Sequence, residues 1–194
     1  MAFTLFQKAE APLSGQRIIL RAPLATDYAA WAKLRRESRM FLEPWEPSWT
    51  RDELERRAYR ERLSRYRQER RDGSGFVYFI FSEATSELIG GITLGHIKRG
   101  VAQSGVIGYW MGERFAGQGY MSEAVDVIKR HAFGPLALHR VEAACIPDNE
   151  RSVRLLKKAG FELEGQLRSY LKINGRWRDH LLFSYVQESG VRGG

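Results

Sequence analysis

Apolar positions along the 194-residue chain change period several times, and each change marks an element. Arg17-Ile18-Ile19-Leu20-Arg21 reads as a first strand, ended by Pro23. Thr26 is placed to cap a helix whose Tyr28, Trp31 and Leu34 share one face. A loop rich in proline and tryptophan, Phe41 to Trp49, comes next. Thr50 and Glu53 then have the spacing of a capping box. They would open an arginine-rich helix that buries Leu54, Ala58, Leu63 and Tyr66 and stops at Gly73 to Gly75. Strands follow at Phe76–Ser82, Leu88–Ile97 and Ser104–Met111, the first apolar on both faces, as an interior strand of a covered sheet is.

Met121, Val125, Ile128 and Ala132 form a helical stripe closed by Gly134-Pro135. A strand over Arg140–Cys145 precedes a short helix that starts near Asp148 and ends at Gly160, a residue suited to the left-handed cap. The last two strands flank Asn174-Gly175, a strong hairpin signal. Trp177, Asp179, Leu181, Phe183 and Tyr185 alternate onto one face of the final strand, with Asp179 its only polar member. The tail from Glu188 to Gly194 reads as loose. The order β-α-α-β-β-β-α-β-α-β-β predicts an α+β (mixed α/β) fold with a mainly antiparallel sheet, not a doubly wound one. With no internal repeat or linker, residues 1–194 read as a single domain with its core at about 16–188.

Composition narrows the class. Apolar residues make up 43% and charged residues 28%, ordinary values for a globular protein. One cysteine, Cys145, excludes an internal disulfide and reads as a small buried residue. No signal-peptide pattern opens the chain and no apolar run reaches the ~20 residues of a membrane helix. The expectation is a cytoplasmic protein without a membrane role, a monomer or homodimer. His96, His131, His139 and His180 are scattered, so no metal site is expected. A net charge of +8 suits acidic partners such as a nucleotide cofactor, RNA or the ribosome. Much of the excess lies between Arg51 and Arg71, where it also fits the wet face of an amphipathic helix.

The chemistry concentrates where the third of those strands runs into a glycine loop: Tyr109-Trp110-Met111-Gly112-Glu113-Arg114-Phe115-Ala116-Gly117-Gln118-Gly119-Tyr120-Met121. Glycines let the backbone approach a bulky anion, successive N–H groups can aim at it, and the following helix adds its positive end. Arg114 adds a full charge. The outline is that of a diphosphate cradle, and the loop carries neither the Walker spacing nor the dinucleotide fingerprint.

Arg114-x-x-Gly117-x-Gly119 after a strand resembles the GNAT N-acetyltransferase signature. Asn149-Glu150-Arg151-Ser152 opening the next helix, closed by Ala159-Gly160-Phe161, resembles the second cofactor motif of that family. Phe41 to Pro47, Gly108-Tyr109-Trp110 and Asn174 to His180 are similar to its Rim-type branch, which acetylates the N-termini of ribosomal proteins. The resemblance covers nearly the whole chain. It implies a seven-stranded sheet flanked by about four helices, acetyl-CoA as co-substrate, and a protein α-amine as acceptor, with ribosome association conceivable for such a partner. It also implies that Asn149 holds the pantetheine arm and that Ser152 lies near the thioester.

Further roles follow from the chemistry of acyl transfer. Ser152, then Tyr170, are candidates to protonate the departing sulfur, while backbone N–H groups near Tyr109–Met111 can stabilise an oxyanion. Glu43, Trp45, Glu46 and Trp49 are candidates to receive a cationic substrate tail. Where related enzymes carry a carboxylate before the Tyr170-Leu171 pair, this chain has Ser169, leaving the general base open. A small-molecule acetyltransferase and a non-catalytic RNA-binding factor are the competing readings.

Overall fold

A computed structural model of the chain describes residues 11–187. Among these, eight strands form one sheet in the order β1-β2-β3-β4-β5-β6-β8-β7. They are β1 (Leu13–Ser14), β2 (Ile18–Arg21), β3 (Phe76–Ser82), β4 (Leu88–Lys98), β5 (Ser104–Met111), β6 (Arg140–Cys145), β7 (Glu162–Ile173) and β8 (Arg176–Val186). All neighbours are antiparallel except β5 and β6, which run parallel. The helices are α1 (Tyr28–Glu37), α2 (Arg39–Leu42), α3 (Arg56–Arg71), α4 (Tyr120–Phe133) and α5 (Glu150–Lys158). The mixed α/β expectation holds. The count of seven strands and four helices is short by β1, two residues too few to carry a periodic signal, and by the four-residue α2 that runs into the expected loop. The tail from Glu188 lies outside the described residues.

Helices cover both faces. Phe76, Tyr78 and Ile80 of β3 face α4 and α5, where Val125, Ile128 and Leu156 are fully buried. Phe79 faces the other way, against Trp31 and Leu34 of α1 and Tyr59 and Leu63 of α3. The doubly apolar pattern of β3 reflects this two-sided burial.

Two expected caps are replaced. Thr26 lies inside a 3₁₀ turn over Ala25–Asp27, and Asp27 does the capping work: its carboxylate accepts from Leu24 N at 2.7 Å while holding Arg21 at 2.7 and 2.8 Å. Thr50 and Glu53 do not form a capping box either, because the chain makes turns up to Glu55 and α3 starts at Arg56. Glu53 instead pairs with Arg62, a turn and a half into the helix.

The final hairpin outruns the sheet. Pairing of β8 to β6 ends at Leu181 opposite Cys145, so Arg176–His180 pairs with β7 alone and forms a projecting arm. The apolar face expected along β8 therefore divides: Phe183 is buried, whereas Trp177 on the arm is 63% exposed. Asp179 has a defined task there, accepting from Ser169 N and Gln166 Nε2 at 2.8 Å each and pinning the irregularity between Leu167 and Leu171. Those bonds hold its carboxyl below the usual range. At the arm's tip, Asn174 N donates to Glu46 O at 2.9 Å, tying the hairpin to the proline- and tryptophan-rich segment.

Candidate active site

The parallel pair β5–β6 is the origin of the site. Its register runs from Ser104 opposite Arg140 to Ile107 opposite Ala143 and then stops, although β5 continues to Met111 and β6 to Cys145. The two strands part there. On its other side β5 stays paired to β4 as far as Met111 opposite Gly90, and Gly112 N donates to Ile89 O at 3.0 Å. Antiparallel pairing alternates, so the main-chain groups of Gly112, Trp110 and Gly108 serve β4, and those of Tyr109 and Met111 point to the open side. A fork with unpaired N–H and C=O groups on one arm can bind an amide-bearing chain as an added strand would.

A cleft of about 490 Å³ extends from this fork. Tyr109, Trp110 and Met111 form one wall, and Asn149, Arg151, Ser152, Arg154, Leu155 and Lys158 of the α5 segment form the other. Phe115, Ala116, Gly117, Gly119, Tyr120, Met121 and Ser122 of the glycine-loop segment also line it, as do Phe41, Leu42, Trp45 and Glu46. Most of the residues picked from the sequence are thus brought together. Gln118 stays out of the lining, with its amide bonded to Arg114 O at 2.8 Å and its own carbonyl accepting from Arg17.

The glycine loop has the expected form. Gly117 and Gly119 both take left-handed backbone, φ +78° and +84°, and Gly119 is the N-cap of α4 with no side chain capping the first turn. A Cβ at Gly117 would meet nothing within 4 Å, so its conformation answers to the backbone path and not to crowding. The first N–H groups of α4 are left for an outside anion. These features fit a diphosphate. Arg114 lies outside the cleft lining: its guanidinium pairs with Glu87 at 2.6 Å and lies over the Phe115 ring. Main-chain N–H groups form the loop side of the cradle, and Arg151, Arg154 and Lys158 line the same cleft.

At the fork, the Tyr109 hydroxyl and Ser152 Oγ are 2.6 Å apart. Asn149 caps α5 by accepting from Ser152 N at 3.1 Å, which fixes the first turn and with it the serine. Burial pushes the Tyr109 phenol well up from its ordinary value, so it stays protonated. Either hydroxyl can donate in this pair; with the phenol as donor, the serine proton turns away from Tyr109, toward the cleft or the neighbouring Cys145 sulfur. Cys145 is buried beside Ser152, and burial raises its thiol too, consistent with the small buried residue expected there. Tyr109 was expected only as backbone. Its side-chain role had no local signal, because its partner is 43 residues away.

The acidic candidates are each held by an arginine. Glu46 reaches the cleft, but Arg35 takes both its oxygens at 2.8 and 2.6 Å and Trp49 Nε1 adds a third bond at 2.8 Å. Arg35 is buried, and its guanidinium sits over the rings of Trp49 and Trp110. Glu43 is bonded to Arg39 at 2.7 Å. Glu43 and Trp49 do not line the cleft, and Glu46 and Trp49 fasten the loop. Tyr170 is 45% exposed on the arm, edge-on to His180, and likewise absent from the lining. Among the described residues, no group of His, Cys, Asp and Glu could hold a metal.

This geometry meets its match in known proteins. A family model described as an acetyltransferase (GNAT) domain matches residues 17–162. The chain belongs to the GNAT acetyltransferase family. This acetyltransferase is 36% identical to the probable N-acetyltransferase YjcK of Bacillus subtilis, over 90% of the chain and 96% of that protein. It is 34% identical to the [ribosomal protein uS5]-alanine N-acetyltransferase of Escherichia coli, over 88% of each. The structure of Mycobacterium smegmatis RimJ in complex with CoA-disulfide superposes with a TM-score of 0.85 at 32% identity, covering 94% of this chain and 89% of that one. The protein is therefore an acyltransferase related to the ribosomal-protein N-acetyltransferases.

Proposed function

We propose that this acetyltransferase moves the acetyl group of acetyl-CoA to the N-terminal α-amine of a protein, a ribosomal protein being the acceptor class. The relative acting on uS5 alanine supports the acceptor, and the CoA-containing RimJ structure supports the donor. The observation that carries the choice of amine is the cleft's poverty in bases. Among the described residues lining it there is no histidine, and Glu46 is its only carboxylate, fully engaged by Arg35 and Trp49. Such a site needs an acceptor that is already partly neutral. With a pKa of about 7.7–8.0, roughly a third of an α-amine is neutral at pH 7.5, against about one part in a thousand for lysine at about 10.4.

Bound acetyl-CoA supplies a thioester carbonyl as the acyl source. The Gly117–Gly119 loop and the first turn of α4 bind its diphosphate, and Asn149 and the open edge of β5 hold the pantetheine arm. N–H groups of Tyr109 and Met111 face the fork and stabilise negative charge on the carbonyl oxygen. As the amine nitrogen bonds to the acyl carbon and the carbon–sulfur bond breaks, Ser152 donates its proton to the sulfur, held in place by Tyr109. The amine proton passes to water, and Ser152 takes a proton back from water, so the serine hydroxyl is restored as the thiol leaves.

The test is mass spectrometry of a synthetic peptide that begins with alanine and carries an internal lysine, incubated with enzyme and acetyl-CoA. One acetyl on the terminal amine is expected, and none on the same peptide with a blocked terminus. Acetylation of the lysine alone, or of a polyamine or aminoglycoside with both peptides untouched, would overturn the reading.

A further inference from the structure

The eight arginines of α3 fall into two populations. On one flank they are neutralised: Arg57 bonds Glu61 at 3.0 Å, Arg65 pairs with Glu69 at 3.6 Å, and Arg62 pairs with Glu53. On the other flank Arg56, Arg60, Arg67 and Arg71 are all exposed, and among the described residues none of the four forms an ion pair. At 100° per residue, positions 56, 60, 64, 67 and 71 fall within about 80° of one another, and Ser64 is the only uncharged member. They make a stripe about 22 Å long that contains no carboxylate. Its near end is braced by Arg56 over the Tyr28 ring at 4.4 Å. Beyond its far end, Ser74 O accepts from Ile97 N of β4 at 3.0 Å, one residue before the exposed Lys98.

We propose that this flank of α3 docks the phosphate backbone of RNA. A line of unneutralised guanidiniums about 6 Å apart for neighbours one turn on suits successive phosphates of one strand. Segregation is the informative feature. A merely solvated helix has no reason to confine its carboxylates to one flank. Two other classes of partner fit less well. A protein interface would offer an aromatic or aliphatic anchor at its centre, and a membrane-surface helix an exposed apolar face. None of the exposed large hydrophobic residues among the described ones lies on α3. Arg56–Arg71 lies outside the acetyl-transfer cleft, so docking and catalysis can be separated by experiment.

The experiment measures binding of the full-length protein to a fluorescein-labelled RNA stem-loop across a salt series, with polyglutamate and phosphatidylglycerol vesicles as comparison ligands. Two double variants, Arg60→Gln with Arg67→Gln on the stripe and Arg62→Gln with Arg65→Gln about 100° or more away from its edge, each remove the same charge. The first pair is expected to weaken RNA binding at least about tenfold and to flatten the log–log salt slope by about 1.4–1.8, the share of two phosphate contacts. The second should stay within about threefold of the parent. Coenzyme A affinity, read separately by calorimetry, should be unchanged in both, which certifies folding and isolates this result from the proposed catalytic function. Equal loss in the two variants would reduce the effect to net charge and overturn the proposal. So would absence of RNA binding, or tighter binding to polyglutamate or vesicles than to RNA.

Discussion

Ser152 and Tyr109 share a 2.6 Å hydrogen bond in the cleft wall, and their division of labour can be measured. Ser152→Ala removes the proton donor and should lower kcat by about 10²-fold with coenzyme A affinity within about twofold. Tyr109→Phe keeps the donor but loses its orientation, so kcat should fall by about 3–10-fold with the same small change in affinity. Equal losses in kcat, or a loss confined to KM, would remove the tyrosine from this role. Glu46 tells the opposite story. Its negative charge suggests a substrate anchor in the sequence, and only the fold reveals Arg35, eleven residues earlier, as its partner. Glu46→Gln leaves the buried Arg35 with Glu53, 4.0 Å away, as its remaining carboxylate, at a cost of up to about 3–5 kcal/mol. A fall in Tm of up to about 6–20 °C is expected at about 2–4 °C per kcal/mol for a chain of this size. A KM effect with Tm unchanged would restore the substrate role.

Elements with a strong period or a backbone demand were legible before any coordinates: β3, α4, the Asn174-Gly175 turn, and the left-handed close of α5 at Gly160, φ +82°. Helix starts were not, because a threonine at the right spacing does not cap when a neighbouring carboxylate or a tertiary arginine competes for the same geometry, as Asp27 and Arg62 do. The packing of α4 on β3 gives this scale its own test. His131 is buried between Phe76 and Tyr78, with Nε2 3.2 Å from the Tyr78 hydroxyl, and burial lowers its pKa from the ordinary value of about 6.5. Above pH 6.5 the ring is neutral in both folded and unfolded chains and contributes no pH dependence. Below it the unfolded chain takes up a proton that the folded one refuses, so stability falls as pH drops. An NMR titration should find His131 protonating below pH 6.5; a midpoint at or above it would contradict the packing described.

At the scale of the molecule, a single topological event produces the site: the two parallel strands stop pairing after Ile107 and Ala143, and α4 and α5 start close to the opening. The glycine loop and Asn149 could be read from the sequence because each encodes local backbone geometry. The fork, the Tyr109–Ser152 bond and the engagement of Arg114 by Glu87 join residues distant in sequence and leave no local trace. Because no free base lines the cleft among the described residues, kcat/KM should rise with pH along the titration of the acceptor, with an apparent pKa of about 7.7–8.0 for a peptide amine. A profile that ignored the acceptor's pKa would point to a base on the enzyme.

The main-chain cradle at Gly117–Gly119 is the claim on which donor binding rests, and calorimetric titration of coenzyme A into the parent and Gly119→Ala proteins tests it most directly. Alanine resists the left-handed conformation by about 1–2 kcal/mol, and escaping it turns the loop amides away from the anion. Clear association heat for the parent and an affinity about 5–30-fold weaker for the variant are expected. No heat with the parent, or equal affinities in the two, would contradict the account.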